Sequence, residues 1–201
     1  MHPTPHGGYF LPNNFVQLTL LAFEDVTGKN AVKAVLNLSG LSNLIGNFPP
    51  GNPEKKFPLD DFSKIMSSFE DLYGPRGGRA LSYCAGEQTF LSGVVTFGLD
   101  SGGHPASLAT GLERVAWYFN SACSADASLV KKRASVEFRI GRCPACFGRW
   151  AAAPVCYFYA GFLREAGRWA GGGKPYYVKE ISCVAEGEED CVFELSSRAF
   201  K

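Results

Sequence analysis

The chain has 201 residues, of which 46% are hydrophobic and 19% charged, and its formal net charge is +1. This length suits one domain with a substantial core, so we expect a single domain over residues 1–201. The balanced charge excludes an electrostatic nucleic-acid binder, and no apolar run reaches the roughly 18 residues of a membrane span. The first residues show no signal-peptide pattern, so we expect a cytoplasmic protein.

The first part of the chain, residues 1–132, is predicted to be mainly helical because its apolar residues recur at helical spacing. Proline and glycine mark the breaks between its elements. The predicted elements are helices over 14–25, 30–44, 62–73, 76–97 and 106–132, with a loop at 46–58 and a turn at 99–105.

The pattern changes in the second part, residues 133–201. Apolar and charged residues alternate over 136–140, which indicates a half-buried strand. A helix is predicted over 155–170, and strands at 176–182 and 191–195 flank a polar loop, so they form a hairpin. Helices followed by mostly antiparallel strands predict an α+β fold, with the N-terminal helices packed on one face of a small sheet.

Five of the seven cysteines follow position 140, and such clustering in a reducing compartment indicates a metal site. Cys183 and Cys191 flank the hairpin loop, where facing residues come within about 5.5 Å, close enough to share one ion. Glu180 lies three residues before Cys183, so a regular strand points the two to opposite faces. Both can bind one ion only if the strand bulges near Ser182.

Cys156 is the natural fourth ligand, because it falls in the first turn of the predicted helix, where a thiolate is stabilised. With Glu180, Cys183 and Cys191 it forms a closed set of three sulfurs and one oxygen, typical of a structural zinc site. Thiolates favour zinc over magnesium or calcium. On spacing alone, the alternative of ordinary buried cysteines stays open.

Two segments resemble the 4-vinyl-reductase (4VR) domain: PVCYFYAGFL at 154–163, and the stretch at 178–193 that begins VKEISCVAEG and ends CVF. The resemblance covers about 136–195. In that family a Cys, Glu, Cys, Cys set binds zinc, and Cys156, Glu180, Cys183 and Cys191 match it.

The resemblance, to the standalone "hydrocarbon-binding protein" type, implies a fold related to vesicle-tethering subunits and haem-based nitric-oxide sensors. It also implies a pocket for a small apolar or aromatic ligand beside the zinc. We therefore expect a ligand-binding or sensing module with a structural zinc. The alternatives are an enzyme or accessory protein of tetrapyrrole metabolism and a tethering subunit, and the tethering fold implies a homodimer.

No catalytic residues are predicted, since the histidines His2, His6 and His104 form no nucleophile set and no dinucleotide fingerprint appears. Aromatic residues that are core by default are also candidates for lining the pocket. These candidates are Phe90, Trp117, Phe138 and Tyr176.

Cys143 and Cys146 form a CxxC pair directly after the strand at 136–140. Three interpretations stay open: a second thiol site for a metal or for sensing, a redox pair, or a tight turn with buried thiols. Cys156 could join this pair instead of the set of four. The pair lacks the βαβ context of thioredoxin-like proteins.

Overall fold

A computed structural model describes residues 8–198 of the protein. Its helices lie mostly in the first part of the chain, as predicted. In chain order the elements are β1 (Phe10–Pro12), α1 (Asn13–Thr27), α2 (Lys29–Leu38), β2 (Lys55–Pro58), α3 (Leu59–Gly93), α4 (Leu108–Ala122), β3 (Ala127–Lys131), β4 (Ser135–Ile140), α5 (Tyr157–Ala170), β5 (Tyr177–Ser182) and β6 (Cys191–Ser196).

The main sheet has four antiparallel strands in the order β3-β4-β6-β5. The predicted hairpin is confirmed as β5 and β6, and β4 pairs with the other edge of β6. The helices pack on one face of this sheet, where Phe138 of β4 meets Phe119 of α4 with ring centroids 5.8 Å apart. The predicted α+β class is therefore confirmed.

The predicted helix over 106–132 is wrong in its last third. The helix α4 ends at Ala122, and Ala127–Lys131 form strand β3, paired with β4. Ser124 and Asp126 between them have φ of 53° and 55°, a conformation that no helix continues through. The apolar residues of β3 fit a helical repeat in sequence, but pairing with β4 decides their conformation.

Two smaller predictions also change in the structure. The predicted loop at 46–58 contains β2, which pairs with β1 in a small separate sheet, and α2 ends at Leu38 rather than at 44. The break predicted between the helices at 62–73 and 76–97 is confirmed. Gly74, before Pro75, has a non-helical φ of 72° and ψ of 167°, so α3 consists of two helical segments, and the second ends at Gly93 rather than at 97.

Helices α3 and α5 approach each other so closely that glycine is required at their contact. A Cβ atom added to Gly86 of α3 would overlap the carbonyl oxygen of Phe158, and one added to Gly161 of α5 would overlap that of Tyr83. This contact fixes the N-terminus of α5 against α3, and Cys156 lies at that N-terminus. Within residues 8–198, no helix combines the length and apolarity needed to cross a bilayer.

Candidate metal centre

Three cysteine sulfurs meet where α5 begins, β5 ends and β6 begins. The Sγ atom of Cys156 lies 3.8 Å from that of Cys183 and 3.6 Å from that of Cys191, and the latter two are 3.8 Å apart. All three side chains are fully buried. Ligands at about 2.3 Å from a tetrahedral ion lie about 3.8 Å from each other. The three sulfurs therefore form a triangle of the size of one face of a zinc tetrahedron.

The bulge that the sequence required near Ser182 is confirmed. The pairing of β5 with β6 shifts register between Glu180 and Ser182, so Ile181 is an extra residue and is 44% exposed. The hydroxyl of Ser182 donates to the carbonyl oxygen of Asp190 at 2.9 Å and holds the bulge. Because of this bulge, Glu180 lies on the same side as Cys183, and the four predicted donors are within 4.8 Å of one another.

The carboxylate of Glu180 is only half satisfied by the protein. Its Oε2 atom accepts the backbone N–H of Cys156 at 2.8 Å, whereas its buried Oε1 atom has no hydrogen-bond partner among the described residues. Burial raises the pKa of Glu180 to about 9, and the negative charge of Cys183 adds to the effect. A buried carboxylate oxygen without a donor, beside three thiols, fits the fourth ligand of a cation.

The CxxC pair lies against the same cluster. Cys143 and Cys146 are in the turn after β4, each 1% exposed. The Sγ atom of Cys143 is 3.4 Å from that of Cys156, and the Sγ atom of Cys146 is 3.4 Å from that of Cys191. These four thiols form a second group whose sulfurs all lie within 4.8 Å, so a buried cluster of four cysteines could hold a metal ion there.

The thiols of the cluster differ in their electrostatics. Burial raises the pKa of Cys143 to about 12 and that of Cys156 well above its ordinary value. The sequence suggested that the helix N-terminus stabilises a Cys156 thiolate, but burial outweighs this effect. A bound cation would keep the thiol ionised. Hydrogen bonds from other thiols of the cluster lower the pKa of Cys146, and the bond with Cys143 has the largest effect. Cys84 and Cys123 belong to neither donor group.

The four aromatic residues predicted to line a pocket lie in different surroundings. Phe90 packs edge-on against Phe162 in the core, and Phe138 is equally buried. Trp117 is 68% exposed on α4, and Tyr176 lines a surface cleft between α4 and the end of α5. The histidines His2 and His6 lie outside the described residues.

A different cleft, of about 500 Å³, opens directly beside the candidate metal centre. A pocket beside the zinc was expected, but none of the four predicted lining residues belongs to this cleft, because its walls come from α3, α5 and β5, which only the tertiary structure brings together. The sequence did contain one indication of this lining. Val178 is two residues before Glu180 on one strand, so both side chains lie on the same face. Its lining residues are Tyr83, Pro154, Tyr157, Ala160, Val178, Lys179 and Glu180.

We expect Glu180→Gln to stabilise the metal-free protein at alkaline pH and to weaken zinc binding at least about tenfold. The pKa of Glu180 is about 9 in the folded protein, against an ordinary 4.5. Between these values the unfolded chain ionises and the folded chain does not, so stability falls as pH rises. Glutamine does not titrate, and its amide is a weaker ligand than a carboxylate.

Urea denaturation of chelator-treated protein from about pH 5 to about pH 9 measures the first effect, and competition with a zinc chelator measures the second. The exposed Glu186→Gln, on the same hairpin loop, is the control and should leave both unchanged. If Glu180→Gln and wild type show the same pH dependence and zinc affinity, Glu180 is not a ligand.

The fold is similar to that of several solved structures. An oxygen-binding H-NOX domain related to soluble guanylate cyclases, in its oxygen complex, superposes with a TM-score of 0.63 at 12% identity, covering 95% of this chain and 99% of that chain. An unliganded Fe(II) H-NOX mutant protein from K. algicida gives 0.59 at 12% identity, covering 92% and 96%. The phenol-responsive sensory domain of the transcription activator PoxR, with phenol, gives 0.56 at 17%, covering 73% and 78%. The predicted relation to the nitric-oxide-sensor fold is confirmed.

The described part of the chain does not fit a haem held by histidine. His104 is the one histidine among residues 8–198, and it is exposed in the turn between α3 and α4. The interior of the helical part is filled by aromatic rings, with the centroid of Phe15 only 5.5 Å from that of Phe97 and 6.1 Å from that of Phe162. Residues 8–198 therefore share the fold but place no histidine at an interior haem position.

The C-terminal part of the sequence gives a more specific match than the fold does. Residues 136–197 match the 4-vinyl-reductase (4VR) domain, so the resemblance seen in the sequence is confirmed for this part. No curated protein matches the chain. The matched range includes every donor of the cluster, from Cys143 to Cys191. This part of the chain, residues 136–197, is therefore similar in sequence to that domain.

Proposed function

We propose that the protein is a binding or sensing module for a small apolar or aromatic molecule, with a structural zinc ion beside its ligand site. The observation that carries the proposal is a closed set of four protein donors, Cys156, Glu180, Cys183 and Cys191, forming one wall of a cleft through Glu180. Four protein ligands leave no open position on the ion, which is the pattern of a structural rather than a catalytic zinc.

The zinc ion would join three elements of the fold at one point. Its ligands come from the start of α5, the bulge of β5 and the first residue of β6. Such a site exists only in the folded chain, so the binding free energy of the ion stabilises the fold. We expect the ion to hold the β5 bulge in place and thereby to fix the position of the cleft wall that Glu180 forms.

The ligand class follows from the cleft. Its walls combine the rings of Tyr83 and Tyr157 with the aliphatic surface of Ala160 and Val178. The lining is mostly apolar, and Lys179 and Glu180 are its charged residues. A cleft of about 500 Å³ with such a lining suits a small, largely apolar molecule. The shared fold with a sensory domain solved with phenol supports a small-molecule ligand. The predicted homodimer, cytoplasmic location and lack of catalysis stay predictions.

Binding of the fluorescent apolar probe phenylnaphthylamine tests the ligand site. We expect the zinc-loaded protein to bind it saturably, and Val178→Trp to weaken binding at least about tenfold because the indole fills the cleft. Tyr177→Trp is the matched control, since Tyr177 is 50% exposed and does not line the cleft. Equal binding by the two variants, or no saturable binding by wild type, would contradict the proposal.

A further inference from the structure

The two donor groups of the cluster have two members in common. One group is Cys156, Glu180, Cys183 and Cys191, and the other consists of Cys143, Cys146, Cys156 and Cys191. Cys156 and Cys191 thus belong to both, while each group has two donors of its own. A thiolate can bridge two ions because sulfur has more than one lone pair, so the shared pair does not force a choice between the groups.

The distances suit two tetrahedra that share an edge. The Sγ atoms of Cys156 and Cys191, which would form this edge, are 3.6 Å apart, close to the about 3.8 Å expected for a zinc tetrahedron. The thiols that belong to only one group lie close to these two shared sulfur atoms. Cys183 is 3.8 Å from each bridging sulfur. Cys143 lies 3.4 Å from Cys156, and Cys146 lies 3.4 Å from Cys191.

A single ion leaves two thiols of the cluster without a role. Cys143 and Cys146 are 1% exposed and carry the two-residue spacing of a metal chelate. Their turn is closed by a hydrogen bond from the backbone N–H of Cys146 to the carbonyl oxygen of Cys143 at 3.3 Å. The pair does not open a helix, because α5 begins only at Tyr157, so the arrangement differs from a thioredoxin-like redox site.

We propose that the cluster holds two zinc-like divalent ions bridged by Cys156 and Cys191. Cys183 and Glu180 complete the first ion, which is the structural zinc of the proposed function, and the second ion rests on it. Cys143 and Cys146 complete the second ion. When all six donors are ionised, they carry six negative charges, of which one divalent ion compensates two and two ions compensate four. The smaller remaining charge favours the second ion, because uncompensated charge is costly in a buried site.

Counting zinc ions by native mass spectrometry and elemental analysis, on protein kept reduced and saturated with zinc, tests this proposal. We expect two ions per chain in wild type and one in the Cys143→Ser, Cys146→Ser double variant. The exposed Cys84→Ser is the control and should keep two. Wild type with one ion, and a double variant that also keeps one, would overturn the second site and leave the first intact. Wild type with no ion would overturn both sites.

A spectroscopic measurement on wild type keeps the test independent of whether the double variant folds. Cadmium-113 NMR of the cadmium-substituted protein should show two resonances of equal intensity. The one from the all-sulfur site should be shifted further downfield than the one from the site with Glu180. A single resonance at saturating cadmium would overturn the proposal.

Discussion

Replacing Cys191 by serine is expected to abolish metal binding and cooperative folding together. Its Sγ atom lies 3.4 Å from that of Cys146, 3.6 Å from that of Cys156 and 3.8 Å from that of Cys183. It also accepts the backbone N–H of Val184 at 3.3 Å, which fixes the end of the hairpin loop. Cys191 thus connects the cluster sulfurs to the backbone of the hairpin loop.

The magnitudes explain why this effect is large. A structural zinc contributes about 10–16 kcal/mol of apparent binding free energy, whereas a whole domain is stable by only about 5–15 kcal/mol. Loss of the ion can therefore exceed the net stability of the fold. Without it, the thiols and Glu180 are left as a buried polar cluster, and the start of β6 loses its link to α5.

Thermal unfolding followed by circular dichroism, together with zinc analysis of the same sample, measures both effects of Cys191→Ser. The control is Cys84→Ser, because Cys84 is exposed on α3 and belongs to neither donor group. The control should keep the wild-type midpoint and zinc content. A Cys191→Ser protein that unfolds cooperatively near the wild-type midpoint with unchanged zinc would show that the cluster is not a metal site.

Gly86→Ala is expected to destabilise the protein by about 3 kcal/mol or more. The added Cβ atom would overlap the carbonyl oxygen of Phe158, which is backbone and cannot rotate away. Helix propensity alone predicts the opposite, because alanine is favoured over glycine by about 1 kcal/mol inside a helix. We expect the cost of the steric overlap to exceed the gain in helix propensity, since relieving the overlap requires α3 and α5 to move apart and the core between them to open.

Urea denaturation of the metal-loaded variant measures the loss, and Gly102→Ala is the matched control. A Cβ atom on Gly102 would meet only the flexible guanidinium of Arg114, so a change below about 0.5 kcal/mol is expected. Because α5 carries Cys156 at its N-terminus, Gly86→Ala should also lower zinc affinity. A stabilised Gly86→Ala protein would show that the two helices are not in backbone contact.

Local patterns in the sequence predicted much of the structure of residues 136–197. Alternation predicted β4, and the polar loop between two strand-forming runs predicted the hairpin. The need to bring Glu180 beside Cys183 predicted the bulge that the structure contains. A bulge follows from ligand chemistry and strand geometry, both of which are local. The helical part was predicted less well, because β3 forms only through pairing with β4.

By itself the sequence determined the α+β class and which residues are suited to bind a metal, because these depend on periodicity and side-chain chemistry. Only the tertiary structure decided how the donors combine. It places Cys143 and Cys146 against Cys156 and Cys191, and it forms the cleft beside Glu180 from three separate elements. Such contacts depend on how α3, α5 and the sheet pack, and residue spacing along the chain carries no information on that packing.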